Sequence, residues 1–318
     1  MKQQLTLDPV IEKQLQAYET ELSSQIQDYL DHPEKLPKFM DFRVDYAFKY
    51  ILGHKPVLLK LLNDVLPVEV SDIEYLPNEI PVVSPKEKRA AFDVICKERH
   101  SGERFITEMQ CLPDTDMDDR LLFYGSSLIH RQVERGSKTY MLKPVYVLCV
   151  ADYERPHVAS VGADQFFFHY SLREATHPDD CFSRNLQFFF LELPRLGKIW
   201  DSLETNLERW CYLFGNLNKF AEKPTDPAGF DDVFNLARTG ELDGEGLKQY
   251  VSTMLNEYEK YTYGEYARQE GRKEEVKNMA SKMLARGYDV LEIIDLTGLS
   301  NDEVNQLKKD SNNTFLPC

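Results

Sequence analysis

The sequence predicts an α/β fold in which helices flank a mixed sheet, with an N-terminal helix before it and an all-helical C-terminal region after it. Three observations predict this class. Residues 92–110 contain two apolar runs around a turn-like HSG, as a β-hairpin does. Residues 116–135 have helical periodicity, and residues 144–152, PVYVLCVAD, form the continuous apolar run expected of a central strand. From Trp200 onward the periodicity is helical throughout.

Length and composition indicate one enzyme-sized domain with an extension. The chain has 318 residues, of which 42% are hydrophobic and 29% are charged, close to ordinary globular values. No window approaches 18 consecutive apolar residues, and the start lacks the regions of a signal peptide. We therefore expect a folded cytoplasmic protein without a membrane segment. The six cysteines are scattered and form no C-x-x-C pair, so we expect neither a zinc site nor a disulfide framework.

The first part of the chain predicts helices and then strands. Residues 10–31 have the spaced apolar positions of an amphipathic helix, which we assign with its linker to a region 1–38. The segments DFRVDYAFKYILG and KPVLLKLLNDVL predict two helices that pack in the core. Residues 71–83 are broken by prolines and predict one short strand or two. Residues 90–99 and 104–112 then predict the hairpin.

The segment 116–135 predicts the helix that crosses over between two parallel strands. Its spacing places Leu122, Ser126, Ile129 and Val133 on one face, and Gly136 marks its end. After the central strand, DQFFFHYSLRE and NLQFFFLEL predict two more strands. We expect these elements to form one domain, residues 39–198.

The remaining residues, 199–318, predict a helical C-terminal region. Its tail contains a helix stop at Gly287, a turn at Gly298 and a capping box from Ser300 to Glu303, so two short helices meet at a tight turn. We interpret this region as a module for packing and homo-oligomerisation. The alternative is a helix-turn-helix that binds DNA, although the last helix carries mixed charge rather than a row of base-reading side chains.

Three polar side chains on the predicted hairpin are candidates for chemistry. Alternation places Glu108 and Gln110 on one face of their strand, and a four-residue loop, 99–102, would place Asp93 opposite Glu108 on that face. Two facing carboxylates repel each other, and a divalent cation relieves the repulsion. Hard oxygen ligands with two carboxylates suit Mg²⁺ or Mn²⁺. The alternative is that these are ordinary polar residues on a solvent-facing strand.

The net charge of −15 argues against a protein that coats nucleic acid without specificity, because phosphate affinity comes mainly from Lys and Arg. Any contact with nucleic acid must be local. Residues 84–110 supply one patch, in which six cationic side chains outnumber three glutamates. The six are Lys86, Lys88, Arg89, Lys97, Arg99 and Arg104. The alternative is a solvated sheet edge carrying lysines.

Several segments together resemble the PD-(D/E)xK nuclease superfamily, and more closely its recombination-promoting nuclease (Rpn) family, also described as transposases. The resemblance runs from about residue 40 to 215, with a weaker likeness in the tail. The segments that carry it are DFRVDYAFKYILG, LLKLLNDVL, FDVICKERHSGERFITEMQ, RLLFYGSSLIHRQVERGSKTY, LQFFFLELPRL and LERWCYLF.

The resemblance implies a set of site residues. In that superfamily an acidic residue of the first helix, an Asp and a Glu hold the metal ion, and a Lys two residues after the Glu helps to place the attacking water. Carried onto this chain, Asp93 and Glu108 are the metal ligands and Gln110 takes the Lys position. Asp45 is the candidate on the first helix, with Asp41 as the alternative. The neutral Gln110 can orient water by hydrogen bonds but cannot offset charge as an ammonium does.

The resemblance also places Arg120 and Tyr124 one turn apart on the crossover helix, where they would contact phosphate or support the site. The alternative pairs Arg120 with Asp116 and packs Tyr124 in the core. Together with Lys97 and Arg99, these residues are our candidates for DNA binding. We therefore expect an endonuclease that depends on Mg²⁺ or Mn²⁺, with low sequence specificity and a link to recombination or mobile DNA.

Two other functions stay open. The first is a catalytically inactive nuclease fold that serves in interaction or oligomerisation. The second is true transposase activity, which would require DNA joining, and no separate end-recognition domain is evident in the sequence.

Overall fold

The structure, a computed structural model, describes residues 9–80, 90–133, 136 and 138–313. Within these ranges it confirms the predicted α/β class, with a mixed sheet flanked by helices and a helical C-terminal region. In chain order, the elements are α1 (Pro9–Asp31), α2 (Asp45–Leu52), α3 (Lys55–Val65), β1 (Ile73–Tyr75), β2 (Glu79–Ile80), β3 (Ala90–Ala91), β4 (Val94–Glu98), β5 (Arg104–Gln110), α4 (Met117–His130), β6 (Val145–Ala151), β7 (Phe167–Arg173), β8 (Cys181–Glu192), α5 (Asn206–Asn216), α6 (Asp231–Leu236), α7 (Gly244–Ala285), α8 (Val290–Thr297) and α9 (Asn301–Asn313).

The six-stranded sheet has the order β1-β4-β5-β6-β8-β7. β5 pairs in parallel with β6, and β6 in parallel with β8, while the other neighbours are antiparallel. α4 connects β5 to β6, which is the crossover that the sequence predicts, because parallel neighbours cannot be joined by a tight turn. β2 and β3 form a separate two-stranded antiparallel ribbon.

The sheet is covered on both faces, which explains the continuous apolar run of β6. All seven residues of β6 are buried. Alternate residues of the strand belong to two different clusters of buried side chains. Leu148 packs in the larger cluster with residues of α2, α3 and α5, and Val147 packs in the smaller one with residues of α4.

The prediction of which residues form the apolar face of the crossover helix is wrong. Leu122 is 50% exposed, and the buried positions of α4 are Met117, Leu121, Tyr124, Gly125 and Leu128. These positions repeat at three and four residues, so they also form one helical stripe. Gly125 gives the reason for the rotation: a Cβ there would lie 2.6 Å from Cδ1 of Leu186, so the helix approaches the sheet through its glycine. The sequence analysis placed Leu122 on the buried face and did not predict the contact at Gly125.

The chain divides into two compact units, residues 1–257 and 258–318. Residues 199–257, which the sequence assigned to a separate helical region, lie in the first unit. Their large side chains share the core of the sheet: Trp210 and Phe214 of α5 and Tyr250 of α7 are fully buried in the same cluster as Leu148. Trp210 also donates its indole N–H to the carboxylate of Asp64 on α3 at 2.9 Å.

The second unit packs the end of α7 with α8 and α9. Its core contains Ala280, Met283, Ile293 and Val304. The predicted turn at Gly298 adopts the left-handed conformation with φ of 69°, and the capping box is present, since the N–H of Ser300 donates to Glu303 at 2.9 Å. No helix in the described ranges has the length and apolar character that crossing a membrane requires.

The loop of the β4–β5 hairpin is closed by the side chain of Glu98. Its carboxylate accepts the N–H groups of His100 and Ser101, each at 2.5 Å, and the hydroxyl of Ser71 at 3.0 Å. The bond from Ser101 has the largest effect, and together these donors lower the pKa of Glu98 to about 2 although desolvation opposes them. The charged carboxylate therefore stabilises the hairpin.

We expect the free-energy difference between the wild type and Glu98→Gln to depend on pH. A carboxylate with a lowered pKa stabilises the fold above its unfolded pKa, near 4.5, and this contribution is lost as pH falls toward about 2. Glu98→Gln should therefore be less stable than the wild type at pH 7, and the difference should shrink between pH 5 and pH 3. Urea unfolding at several pH values measures it. A difference that is constant over this range would contradict the role of Glu98.

Candidate active site

Asp93 and Glu108 face each other at the end of the β4–β5 hairpin that lies opposite its loop. Val94 pairs with Thr107 and Ile95 with Ile106, so the same register sets Asp93 opposite Glu108. Each carboxylate accepts a backbone N–H from the other strand. The N–H of Asp93 donates to Oε1 of Glu108 at 3.1 Å, and the N–H of Met109 donates to Oδ2 of Asp93 at 2.9 Å. The hairpin thus brings the two predicted carboxylates together.

Glu108 is buried and Asp93 is half-buried, and desolvation has the largest effect on the pKa of each carboxyl group. Glu108 is 3% exposed. Desolvation raises the pKa of Glu108, and the negative charge of Asp93 raises it further. Desolvation likewise raises the pKa of Asp93, although the N–H of Met109 and the charge of Lys49 act in the opposite direction. Two facing carboxylates that resist ionisation form a site that a cation would stabilise.

Lys49 on α2 places a cation beside this pair. Its Nζ lies 2.6 Å from Oδ1 of Asp45 and 3.7 Å from Oδ1 of Asp93. Burial opposes the charge of Lys49, but the hydrogen bond to Asp45 and the charges of the three carboxylates raise its pKa overall. The sequence analysis missed this lysine. The signal was present, since Lys49 follows Asp45 by four residues and so shares its helical face.

The two candidates on the first helix have different environments. Asp45 opens α2 and is joined to Asp93 through Lys49, so it lies at the carboxylate pair. Asp41 is buried before the helix, and both of its oxygens accept hydrogen bonds from Arg43, at 2.7 Å to 3.0 Å. Asn218 also donates to Asp41 at 3.0 Å. Asp41 is therefore held in a structural network, and Asp45 is the acidic side chain of this segment that faces the site.

Gln110 and two residues of α4 complete the surroundings. Gln110 is half-buried at the end of β5 and shares the strand face of Glu108. The charge of Arg120 acts to lower the pKa of Glu108, and the charge of Glu108 acts to raise that of Tyr124 after the larger effect of burial. Tyr124 also packs edge-to-face on Phe92, with ring centroids 4.8 Å apart. These residues therefore lie close to the carboxylates.

The alternative environments expected for the α4 residues are met in part. Tyr124 is buried in the smaller core cluster. Arg120 forms its ion pair with Asp114 at 3.2 Å and not with Asp116. Asp116 precedes the helix, and its backbone carbonyl accepts the N–H of Arg120. Nε of Arg120 is buried without a hydrogen-bond partner in the described part of the chain.

Two of the predicted DNA-binding side chains lie away from this site. Along β4, Lys97 is four residues and Arg99 six residues from Asp93, which at about 3.3 Å per residue is roughly 13 Å and 20 Å. Lys97 pairs with Glu74 at 3.7 Å, and Arg99 with Asp72 at 3.2 Å. The structure does not bring them to the carboxylates. Three further members of the cationic patch, Lys86, Lys88 and Arg89, lie outside the described residues.

A cavity of about 620 Å³ opens beside the site between α2 and α7. Asp45 and Lys49 form part of its wall, and Lys248 of α7 adds a second ammonium. The stacked rings of Tyr46 and Tyr50, with centroids 5.7 Å apart, line the same cavity. The opening gives a ligand access to the end of α2 that carries Asp45.

The donor set fits a hard divalent cation. The described residues contain no group of three His, Cys, Asp or Glu side chains arranged to bind a metal ion. Mg²⁺ commonly uses only one or two carboxylates, with water and substrate phosphate completing its coordination. Asp93 and Glu108 each use one oxygen for a backbone N–H. Their other oxygens, together with the electrostatic need for a cation, make these two residues suitable ligands.

Comparison with known proteins identifies the family. The model of the PD-(D/E)XK nuclease family transposase matches residues 42–267, more than half of the chain. A second model, the C-terminal HTH domain of the Rpn/YhgA-like nuclease family, matches residues 273–309. That region contains the α8–α9 turn, for which the sequence analysis kept the helix-turn-helix as its alternative. Searches of the curated proteins and of the solved structures find no match. The chain belongs to the PD-(D/E)XK nuclease family transposases, with the C-terminal HTH domain of the Rpn/YhgA-like nucleases.

Proposed function

We propose that this protein is a metal-dependent DNA endonuclease that hydrolyses phosphodiester bonds with low sequence specificity. One observation carries the proposal: the half-buried Asp93 faces the buried Glu108, and burial together with the negative charge of Asp93 raises the pKa of Glu108. A purely structural position would be better served by one apolar or neutral residue, because unpaired buried charge destabilises a fold. The family is consistent with a nuclease.

In this proposal Asp93 and Glu108 hold Mg²⁺ or Mn²⁺, with Asp45 beside them. When bound, the ion supplies positive charge to the phosphate and lowers the pKa of water. In the reaction, the attacking water gives up a proton to solvent as its oxygen forms a bond to phosphorus, the ester P–O bond breaks, and the departing oxygen takes a proton from solvent. Gln110 shares the face of Glu108 and orients the attacking water through its amide.

The cavity between α2 and α7 is the proposed path of the DNA backbone. Lys49 of α2 and Lys248 of α7 both line it, so phosphate can approach the carboxylates beside two ammonium groups. Arg120 and Tyr124 support the site from α4. Lys97 and Arg99 are already paired with acidic side chains on β1 or just before it, and their contribution to DNA binding is the smaller one.

The C-terminal HTH match supports DNA as the substrate, and the transposase description of the family supports a role in recombination or mobile DNA. Mixed charge in α9 and the absence of a recognisable base-reading row favour low sequence specificity. Homo-oligomerisation through the C-terminal region stays a prediction.

A second candidate function is a catalytically inactive nuclease fold that acts in interaction. The observation that favours it is the neutral Gln110 at the position where the superfamily has a lysine. The two candidates differ in metal-dependent cleavage, which the first experiment measures directly.

The first prediction concerns cleavage of plasmid DNA. With Mg²⁺ or Mn²⁺ the wild type should nick supercoiled plasmid, and Asp93→Asn or Glu108→Gln should slow the reaction by roughly 10²–10³-fold, as loss of one charge-stabilising group does. Glu74→Gln, which changes an exposed carboxylate on β1, is the matched control and should cleave normally. Equal nicking by the wild type and both site variants would exclude this site.

The second prediction concerns metal binding without DNA. A ligand that binds only the folded state at 100 times its Kd stabilises it by about 2.7 kcal/mol, which corresponds to a rise in melting temperature of about 4 °C for a chain of this size. Mn²⁺ should raise the melting temperature of the wild type in this way and leave Glu108→Gln unchanged. Differential scanning fluorimetry with Mn²⁺ measures both. The same rise in the variant would show that the ion binds elsewhere.

The third prediction separates the two aspartates near α2. Asp41→Asn should lower the free energy of unfolding by about 3 kcal/mol, because it breaks a buried ion pair with Arg43. Asp45→Asn should change stability little, since this side chain is half-exposed, but it should lower the rate of cleavage. Urea unfolding and plasmid cleavage are compared for both variants. A stable Asp41→Asn beside an unstable Asp45→Asn would reverse the assignment.

A further inference from the structure

The strand that carries Glu108 lacks a cationic side chain at the position two residues on. Gln110 is there, and an amide donates hydrogen bonds but carries no charge to stabilise a phosphate. We infer that Lys49, from the face of α2, supplies the missing ammonium by donating to a non-bridging oxygen of the scissile phosphate. This inference rests on the proposed nuclease function and adds a catalytic residue from another element of the fold.

The position of Lys49 is fixed by the core. Phe48, Ile51 and Leu52 of the same helix are fully buried against the sheet, so α2 cannot rotate without exposing them. Lys49 lies next to these buried residues on α2, so the packing of the helix keeps Lys49 facing the carboxylates. Its Nζ lies 3.7 Å from Asp93, and in the described part of the chain it is the Lys or Arg cation in ion-pair contact with that carboxylate.

A simple helical salt bridge does not account for this arrangement. Pairs four residues apart on an exposed helix, such as Asp45 with Lys49, contribute only about 0.3–0.5 kcal/mol. Lys49 has a further carboxylate within ion-pair distance across the fold, and the charge of Glu108 acts on it as well. The ammonium thus lies in the field of all three acidic side chains of the proposed site.

Lys49 is also able to move to substrate. Its ammonium is a point charge on a flexible four-carbon stem with three donors, and its side chain is 39% exposed toward the cavity that it lines. If Asp93 held a divalent ion, the ammonium of Lys49 would no longer be needed to neutralise that carboxylate. A phosphate oxygen entering from the cavity then becomes its partner, while Asp45 keeps the stem on the correct side.

The test uses the full-length chain and moves the ammonium group from α2 to β5. Lys49→Gln should slow single-turnover plasmid cleavage by about 10²-fold, the usual effect of removing one preorganised donor. Adding Gln110→Lys to that variant returns an ammonium to the site from the strand and should recover at least about 10-fold of the lost rate. Lys60→Gln removes a lysine with the same four-residue spacing to an aspartate on α3, and it should cleave normally.

A second readout does not depend on cleavage. Without DNA, Lys49→Gln should bind Mn²⁺ at least as tightly as the wild type, because it removes a cation that repels the ion. The midpoint of the Mn²⁺ titration, followed by melting temperature, measures this. Normal cleavage by Lys49→Gln, failure of Gln110→Lys to restore any rate, or weaker Mn²⁺ binding by Lys49→Gln would each overturn the role of Lys49. Absence of metal-dependent cleavage in the wild type would instead overturn the nuclease proposal.

Discussion

The register between β4 and β5 sets which side chains face each other at the end of the sheet, and a shift by one residue would send Asp93 to the opposite face. The loop fixes that register. Glu98 pairs with Glu103 across four loop residues, Gly102 adopts φ of 81°, and the carboxylate of Glu98 binds the loop N–H groups. From that turn, pairing continues to Asp93 and Glu108. An acidic side chain closing the loop therefore determines the geometry of two others at the opposite end of the hairpin.

Charged side chains also connect the elements that surround the two carboxylates. The end of β6 and the segment before α2 are joined by Arg43, which binds Asp41 at 2.7 Å and Asp152 at 2.9 Å. α4 adds Arg120 and Tyr124 from the opposite side of the sheet. Buried carboxylates are tolerated only where such a framework surrounds them, because their desolvation favours any rearrangement that lets water in. Hydrogen bonds from the backbone therefore hold Asp93 and Glu108, whereas ion pairs with Asp45 and Asp93 hold the longer side chain of Lys49.

Patterns among neighbouring residues in the sequence were enough to predict the sheet but not the whole site. The apolar run of β6 and the turn in the hairpin depend on neighbours in sequence, so they could be predicted, and so could the facing of Asp93 and Glu108. The buried face of α4 depends on the close approach of Gly125 to Leu186, a contact between elements that periodicity does not contain. Lys49 was missed for the same reason: its partner Asp93 is 44 residues away in sequence, and only the packing of α2 brings the two together.

The charge of the site also bears on how an acidic chain, with net charge −15, could act on DNA as we propose. If Asp45, Asp93 and Glu108 are all ionised, three negative charges against one lysine give the metal-free site a net negative charge, which repels phosphate at short range. In the proposed function, a divalent ion held by Asp93 and Glu108 would cancel that charge and leave Lys49 available to phosphate. Under this proposal the metal ion and DNA would favour each other's binding, and because binding free energies are reciprocal, DNA would raise the affinity for the ion by the same factor. Such a site would take up DNA only when the metal ion is present, and the negative net charge of the chain would oppose nonspecific coating of nucleic acid.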